Sequence, residues 1–431
     1  MGRSISYAGA LIHGLTVLGV TLGFTCVAPR LAAAQEVPYI PSSATEAEGF
    51  FIEPGVITRT TLLVDRHLGK GDLTNGFYVD FGYGDFGRMI PGAGISGGPG
   101  YRHWFRQDQV FVDGSAAISG RRYKTAQARF ELPALLRSRL ALGTQFRWQD
   151  FSQVDYFGMG PDTAEGDRTQ YRLESKNLVG FATLRPKRWM AITGQVGWLK
   201  PTVTAPSGAF LQDLPSTRDA FARAPVFARR DAPAFMPAEV SVTIDGRDFP
   251  SHPTRGILLR GAAAHYDDRD SGVFTFKQYE SEAAGFLPIA GGRVVLALHG
   301  WAVTTETGSD RLVPFYLQPG LGGANSLRGY SDYRFHDRHM LVVNAEARLA
   351  LMTHLDLALF ADAGNVASER RDLDLARQSF GAGLRLHTRR MTFARLDAAR
   401  GDEGWRFVFR LTDPLDLARL TRRSGSAPFV P

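Results

Sequence analysis

An arginine set among glycines and an aspartate set among small residues are the side chains here best placed to do chemistry. Ser326-Leu327-Arg328-Gly329-Tyr330 is followed, about 30 residues on, by Phe360-Ala361-Asp362-Ala363-Gly364-Asn365. A guanidinium forks onto a carboxylate through two charge-assisted hydrogen bonds, whereas an ammonium acts only as a point charge. Pro319, Gly320, Gly322, Gly323 and Gly329 allow tight and left-handed backbone around Arg328. The expectation is that a long loop folds inward and Arg328 pairs with Asp362, with Glu346 as a second acid nearby. Residue counting alone leaves another reading open, because the chain has 50 Lys plus Arg and Arg328 could be one more exposed arginine.

Other candidate chemistry is weaker. Gly94-Ile95-Ser96-Gly97-Gly98 matches the G-x-S-x-G nucleophile elbow, but that elbow needs a helix after the serine, and Pro99-Gly100 follow. A glycine-rich strand is expected there instead. His336-Asp337-Arg338-His339 has metal-ligand residue types, yet it closes a loop beside a strand start, so solvated loop residues are expected. None of the 10 histidines has H-E-x-x-H spacing. No catalytic residue, metal or cofactor is assigned.

The elements that must hold Arg328 and Asp362 follow from a period of two. Leu355, Leu357, Leu359, Ala361 and Ala363 oppose His354, Asp356, Phe360 and Asp362. Val343, Ala345, Ala347 and Leu349 oppose Asn344, Glu346 and Arg348, and Trp405, Phe407 and Phe409 oppose Arg406, Val408 and Arg410. Strands are expected near 404–412, 390–399, 376–388, 353–365 and 338–350, and so on back to 108–119. One or two more lie in 74–105, and the even strand number of bacterial barrels brings the total to 16. Short connections at Phe286–Ile289, Leu351–Met352 and Arg389 suit periplasmic turns, and the long ones, Pro201–Ala234 and Thr305–Asp337, fall on the outer side. The pattern predicts an all-β fold, a 16-stranded antiparallel transmembrane β-barrel with a long loop in its lumen.

Composition fits that class. Arg3, an apolar stretch from Ala8 to Ala28 and Ala32-Ala33-Ala34 read as a signal peptide over 1–34. Cys26 is the only cysteine and follows Phe24-Thr25, which argues against lipidation and leaves no disulfide or thiolate site after cleavage. Without Arg3 and Arg30 the net charge falls from +7 to +5, a modest excess that suits an anionic lipid surface and does not argue for nucleic acid. No apolar run of about 18 residues follows, so no transmembrane helix is expected. Residues 35–74 form an N-terminal segment with a short helix or an extended plug, 75–412 the barrel, and 413–431 a polar tail.

The two motifs carry a resemblance. Ser326-Leu327-Arg328-Gly329-Tyr330 resembles the signature loop of the outer-membrane-protein-85 superfamily, the group of BamA/TamA and two-partner-secretion transporters. Phe360-Ala361-Asp362-Ala363-Gly364-Asn365-Val366 is similar to its second signature, and Phe380-Gly381-Ala382-Gly383-Leu384-Arg385 to the strand after it. The likeness is strong over Phe315–Leu411 and weaker at Tyr156-Phe157-Gly158-Met159-Gly160 and Pro253-Thr254-Arg255-Gly256. It implies a sixth outer loop inside the lumen, with Arg328 paired to Asp362 and Glu346 in support. It also makes Leu327, Gly329 and Tyr330 the loop motif, and Phe360, Gly364 and Asn365 the strand motif. Two features depart from the pattern. Residues 35–74 are too short for the family's periplasmic POTRA module, and the aromatic strand Trp405–Leu411 is followed by a tail ending Phe429-Val430-Pro431.

The function implied is insertion or translocation of polypeptides at the outer membrane. Outer-membrane lipid and lipopolysaccharide are the expected surroundings, and polypeptide clients or assembly-machinery subunits the expected partners. A gated or passive diffusion channel is the alternative, because Arg139, Arg147, Arg348, Arg385, Arg406 and Arg410 fall on the lumen face and would favour anions. An outer-membrane hydrolase would need a Ser/His/Asp cluster at the rim.

Overall fold

Alternating side chains give each strand one face for lipid and one for the lumen, and consecutive strands pair in sequence order. The computed structural model describes residues 49–68, 75–83, 92–105, 109–207, 214–221 and 232–411. Its strands are β1 (Gly76–Tyr83), β2 (Ile95–Phe105), β3 (Val110–Ser119), β4 (Lys124–Ala134), β5 (Leu140–Tyr156), β6 (Thr169–Lys187) and β7 (Met190–Thr204). There follow β8 (Phe235–Asp245), β9 (Gly256–Asp268), β10 (Phe276–Ile289) and β11 (Val294–Thr307). After two short loop strands, β12 (Gly320–Leu321) and β13 (Phe335–His336), come β14 (His339–Met352), β15 (Leu355–Ala367), β16 (Arg377–His387), β17 (Thr392–Gly401) and β18 (Gly404–Arg410).

Sixteen of these form one sheet in the order β1 to β11 and then β14 to β18, with antiparallel neighbours; β12 and β13 pair only with each other. The fold is a 16-stranded outer-membrane β-barrel. No helix among the described residues is long and apolar enough to cross a membrane.

Side-chain exposure follows the period of two. On β15, Asp356, Phe360 and Asp362 are buried while Leu359 is half exposed to lipid. On β18, Trp405, Phe407 and Phe409 point outward. Contacts inside the wall bring distant strands together. Arg334, in the long loop, donates to Glu403 in the β17–β18 turn at 2.6 Å and to Thr163 in the β5–β6 loop at 2.7 Å. Asp332 meets Arg410 of β18 at 3.4 Å, and a Cβ placed on Gly92, just ahead of β2, would lie 3.4 Å from the same carboxylate. Asp332 of the loop thus lies near both β18 and the residues leading into β2.

The region 74–105 holds two strands, β1 and β2. Phe286–Ile289 and Leu351–Met352 are not turns but the ends of β10 and β14, because the ladder runs on to Ile289↔Val294 and Met352↔Leu355. The turns there are 290–293 and 353–354, each displaced towards the C-terminus. Before the barrel, Phe51 N donates to Leu351 O at 2.8 Å and Glu53 accepts from His354 N at 2.7 Å. A helix, Gly55–Leu68, follows. The leader 1–34 and the tail 413–431 lie outside the described residues.

Candidate functional site: a charged clasp in the lumen

Glycine lets the loop between β11 and β14 (308–338) fold back on itself. Gly322 and Gly323 take φ of +118° and +92°, a region that side chains with a Cβ avoid, and Gly323 N hydrogen-bonds to Leu327 O and Tyr330 O, both at 3.2 Å. Leu327 is sealed among Leu321, Met340, Val342 and Val366. Gly329 lies flat on β17, where a Cβ would come within 2.6 Å of Gly401 N. Tyr330 packs edge-on to Phe335 and donates its hydroxyl to Asp402 at 2.9 Å.

This knot places Arg328, 1% exposed, against the lumen wall. Its Nη2 and Nε donate to the two oxygens of Asp362 at 2.6 and 2.9 Å, and its own backbone N adds a third bond at 3.1 Å. Nη1 donates to Glu346 at 2.6 Å, and the guanidinium lies 3.5 Å above the Phe360 ring. Asp362 also accepts from Asn344 at 2.8 Å and Ser379 at 3.1 Å, its cross-strand neighbours on β14 and β16. Gly364 is constrained as well, since a Cβ there would lie 2.5 Å from Leu341 O. Asn365 ends the motif by donating to Asp374 at 2.6 Å.

The pair belongs to a larger circuit. Glu346 accepts from Arg385 at 3.1 Å, Arg385 also pairs with Asp397, and Asp397 pairs with Arg395 at 3.3 Å. Arg395 returns to the loop, donating to Ala324 O at 3.0 Å and Asn325 at 2.8 Å. Three arginines (328, 385 and 395) and three acids (Glu346, Asp362 and Asp397) thus alternate through buried positions on β14 to β17 and the loop. A neutral, hydrogen-bonded set of this kind is rigid, and removing one member leaves a charge uncompensated in low dielectric.

Sequence reading missed Asp397 and Arg395. Their signal was available, because Asp397 faces Gly383 and Arg395 faces Arg385 across β16 and β17, on the lumen side. The channel alternative reads Arg139, Arg147, Arg348, Arg385, Arg406 and Arg410 as an anion-favouring lumen lining, yet Arg139 sits exposed in the β4–β5 turn. Arg348 and Arg385 are buried, Arg348 bonds to Pro253 O, Arg406 bonds to Ser331 at 3.0 Å, and Arg410 meets Asp332.

Above the clasp, Phe315 and Tyr316 of the loop join Tyr156, Tyr171, Tyr266 and Phe276 in an aromatic lid. The lid corrects the expectation of a solvated His336-Asp337-Arg338-His339, since His336, Asp337 and His339 are all buried under the inward loop. Burial pushes His336 down to about 4 and raises Asp337 above the usual carboxylate range. Ser96 lies inside β2, between Gly82 and Ser119 on the flanking strands, and not at a strand-to-helix elbow.

A family model, the Omp85 superfamily domain, matches residues 111–412. The chain belongs to the Omp85 superfamily. Among solved structures it is similar to BamA from Haemophilus ducreyi lacking POTRA domains 1-3, at 14% identity and a TM-score of 0.59, over 79% of this chain and 70% of that one. It also aligns with CdiB from Acinetobacter baumannii at 15% identity and a TM-score of 0.46, covering 79% of this chain and 59% of that one. CdiB from Escherichia coli aligns at 13% identity and a TM-score of 0.48, over 78% of this chain and 67% of that one. At such identities the likeness to BamA concerns the fold. No curated protein matches the sequence.

Proposed function

We propose that this Omp85 barrel takes part in inserting or translocating polypeptides at the outer membrane, without catalysing a bond-making or bond-breaking step. The observation that supports this reading most directly is the buried clasp. It commits a loop, an arginine and two acids to holding the lumen occupied, an investment of polar groups that an open pore would not need.

In this reading the working part is the seam between β1 and β18. Among the described residues these are the shortest strands of the barrel, with 8 and 7 residues. β1 pairs with a glycine-rich β2, where Gly97, Gly98 and Gly100 face Phe81, Asp80 and Tyr78. Few ladder bonds and glycine-weakened pairing make this edge the easiest to open, and an opened edge can accept an incoming strand by β-augmentation. The clasp braces β14 to β17, so that the opposite side of the seam stays stiff while β1 moves.

Cysteine pairs placed across β1 and β18, starting from Val79 and Phe407, test the mechanism. Locking the seam is expected to abolish client insertion or translocation in vesicles, with activity returning on reduction. Full activity in the locked barrel would refute it. The channel reading is separated by planar-bilayer recording. Small, erratic currents are expected from the wild type and larger ones from Arg328→Ala, whereas a large steady wild-type conductance would favour a channel.

A further inference from the structure

The periplasmic end of the lumen holds a second polar cluster, built from segments far apart in sequence. The β8–β9 connection (246–255) does not hang below the barrel but turns into it. Asp248 fixes its shape, accepting from Phe249 N and Thr254 N, both at 2.9 Å. Ser251 O then accepts from Thr392 N at 3.0 Å, at the start of β17, and Pro253 O accepts from Arg348 on β14. The turn thereby carries His252 across the lumen to the β15–β16 wall.

There His252 stacks on His387, ring centroids 4.0 Å apart and planes 12° from parallel. Asp356 lies beneath both. Its Oδ1 is 3.2 Å from His387 Nε2, and its Oδ2 is 3.9 Å from His252 Nε2. One ligand atom from each of the three residues falls within 4.8 Å of the other two, and all three residues are buried. The hydrogen bonds on the far ring edges matter most. His387 Nδ1 lies 3.1 Å from Thr388 O, a carbonyl that can only accept, so Nδ1 carries the proton. Its Nε2 edge is turned toward the Asp356 carboxylate. His252 Nδ1 lies 3.0 Å from Thr392 Oγ1 and 3.4 Å from Arg348 Nη1, so its Nε2 edge also faces Asp356.

We propose that His252, His387 and Asp356 form a binding site for one divalent first-row transition-metal ion, with zinc as the representative case. Two imidazoles oriented through Nδ1 by outer hydrogen bonds, and one carboxylate, make a borderline-soft nitrogen and oxygen donor set that suits Zn2+, Ni2+ or Co2+ and not Mg2+ or Ca2+. Small rotations of the stacked rings bring both Nε2 atoms onto one ion, and solvent completes the coordination. The bound ion ties the β8–β9 turn to β15 and β16, so the site acts as a metal staple at the periplasmic mouth. It is independent of the polypeptide-handling reading.

The test uses the full chain, purified without a polyhistidine tag, stripped with chelator and folded into detergent micelles. Titration with Zn2+ by calorimetry, checked by elemental analysis after desalting, is expected to give one ion per chain. Co2+ is expected to give a visible d–d spectrum of low coordination number. His252→Asn and His387→Asn should each weaken binding at least 10-fold, while His354→Asn, next door but outside the cluster, keeps the stoichiometry. Heat-modifiability on gels shows which variants are folded. Wild-type protein that is folded and binds no Zn2+ or Co2+ overturns the proposal even if every variant misfolds. So does retention of full affinity in folded His252→Asn or His387→Asn.

Discussion

The two ends of this lumen are closed by different chemistry. At the outer end the loop is held by ion pairs of Arg328 with Asp362 and Glu346, backed by Arg385, Asp397 and Arg395. At the periplasmic end the β8–β9 turn is held by backbone hydrogen bonds, one Asp248 cap and histidines. The first closure is a network of buried ion pairs, and the second rests on backbone bonds and a buried cluster of two histidines and one aspartate.

The sharpest way to break that contrast is Arg328→Ala. It leaves Asp362 and Glu346 buried without their shared cation, and a loss of about 3–5 kcal/mol is expected in denaturant unfolding from micelles. A double-mutant cycle with Asp362→Ala should return a coupling energy of at least about 1 kcal/mol, and additive losses would show that the clasp is not a unit. A milder effect is expected at the lower end. Asp248→Ala removes the acceptor that shapes the turn and should cost about 2 kcal/mol while leaving hydrogen exchange in the outer loop unchanged.

The aromatic lid makes the outer end sensitive to pH. His336 is held neutral by burial, at about 4, while an unfolded chain takes up its proton near 6.5. A base with a depressed folded value favours the fold fully above about 6.5 and loses that advantage as pH falls toward 4. Lowering pH from 7 to 5 should cost on the order of 2 kcal/mol, and His336→Asn should flatten the profile. An unchanged slope in that variant would place the sensitivity elsewhere. The smallest effect is expected from Glu53→Gln. Partial burial raises the Glu53 carboxyl, but hydrogen bonds from Thr58 and His354 outweigh it and hold the group below its usual range. The variant should speed amide exchange at Phe51 with little change in global stability, and docking of the wild-type segment should weaken only as pH falls below about 4.

Much of this was legible in the chain. Leu355, Leu357 and Leu359 against Asp356 and Asp362 separated lipid from lumen because a strand's side-chain period is two whatever the strand packs on. The sequence by itself therefore determined the barrel class and the inward direction of Glu346 and Asp362, while Arg328 stayed open until its motif was matched to a family loop. It left strand ends loose, as at Ile289 and Met352, where ladder pairing and not residue type decides how far a hairpin runs. Only the tertiary structure decided which lumen arginines are neutralised and where His252 ends up. Arg385 reads as an open pore charge until Asp397 and Glu346 are seen beside it, and His252 lies 140 positions from the Thr392 that orients it. Contacts across the lumen depend on curvature and on loops folding inward, and neither leaves a periodic trace in the sequence.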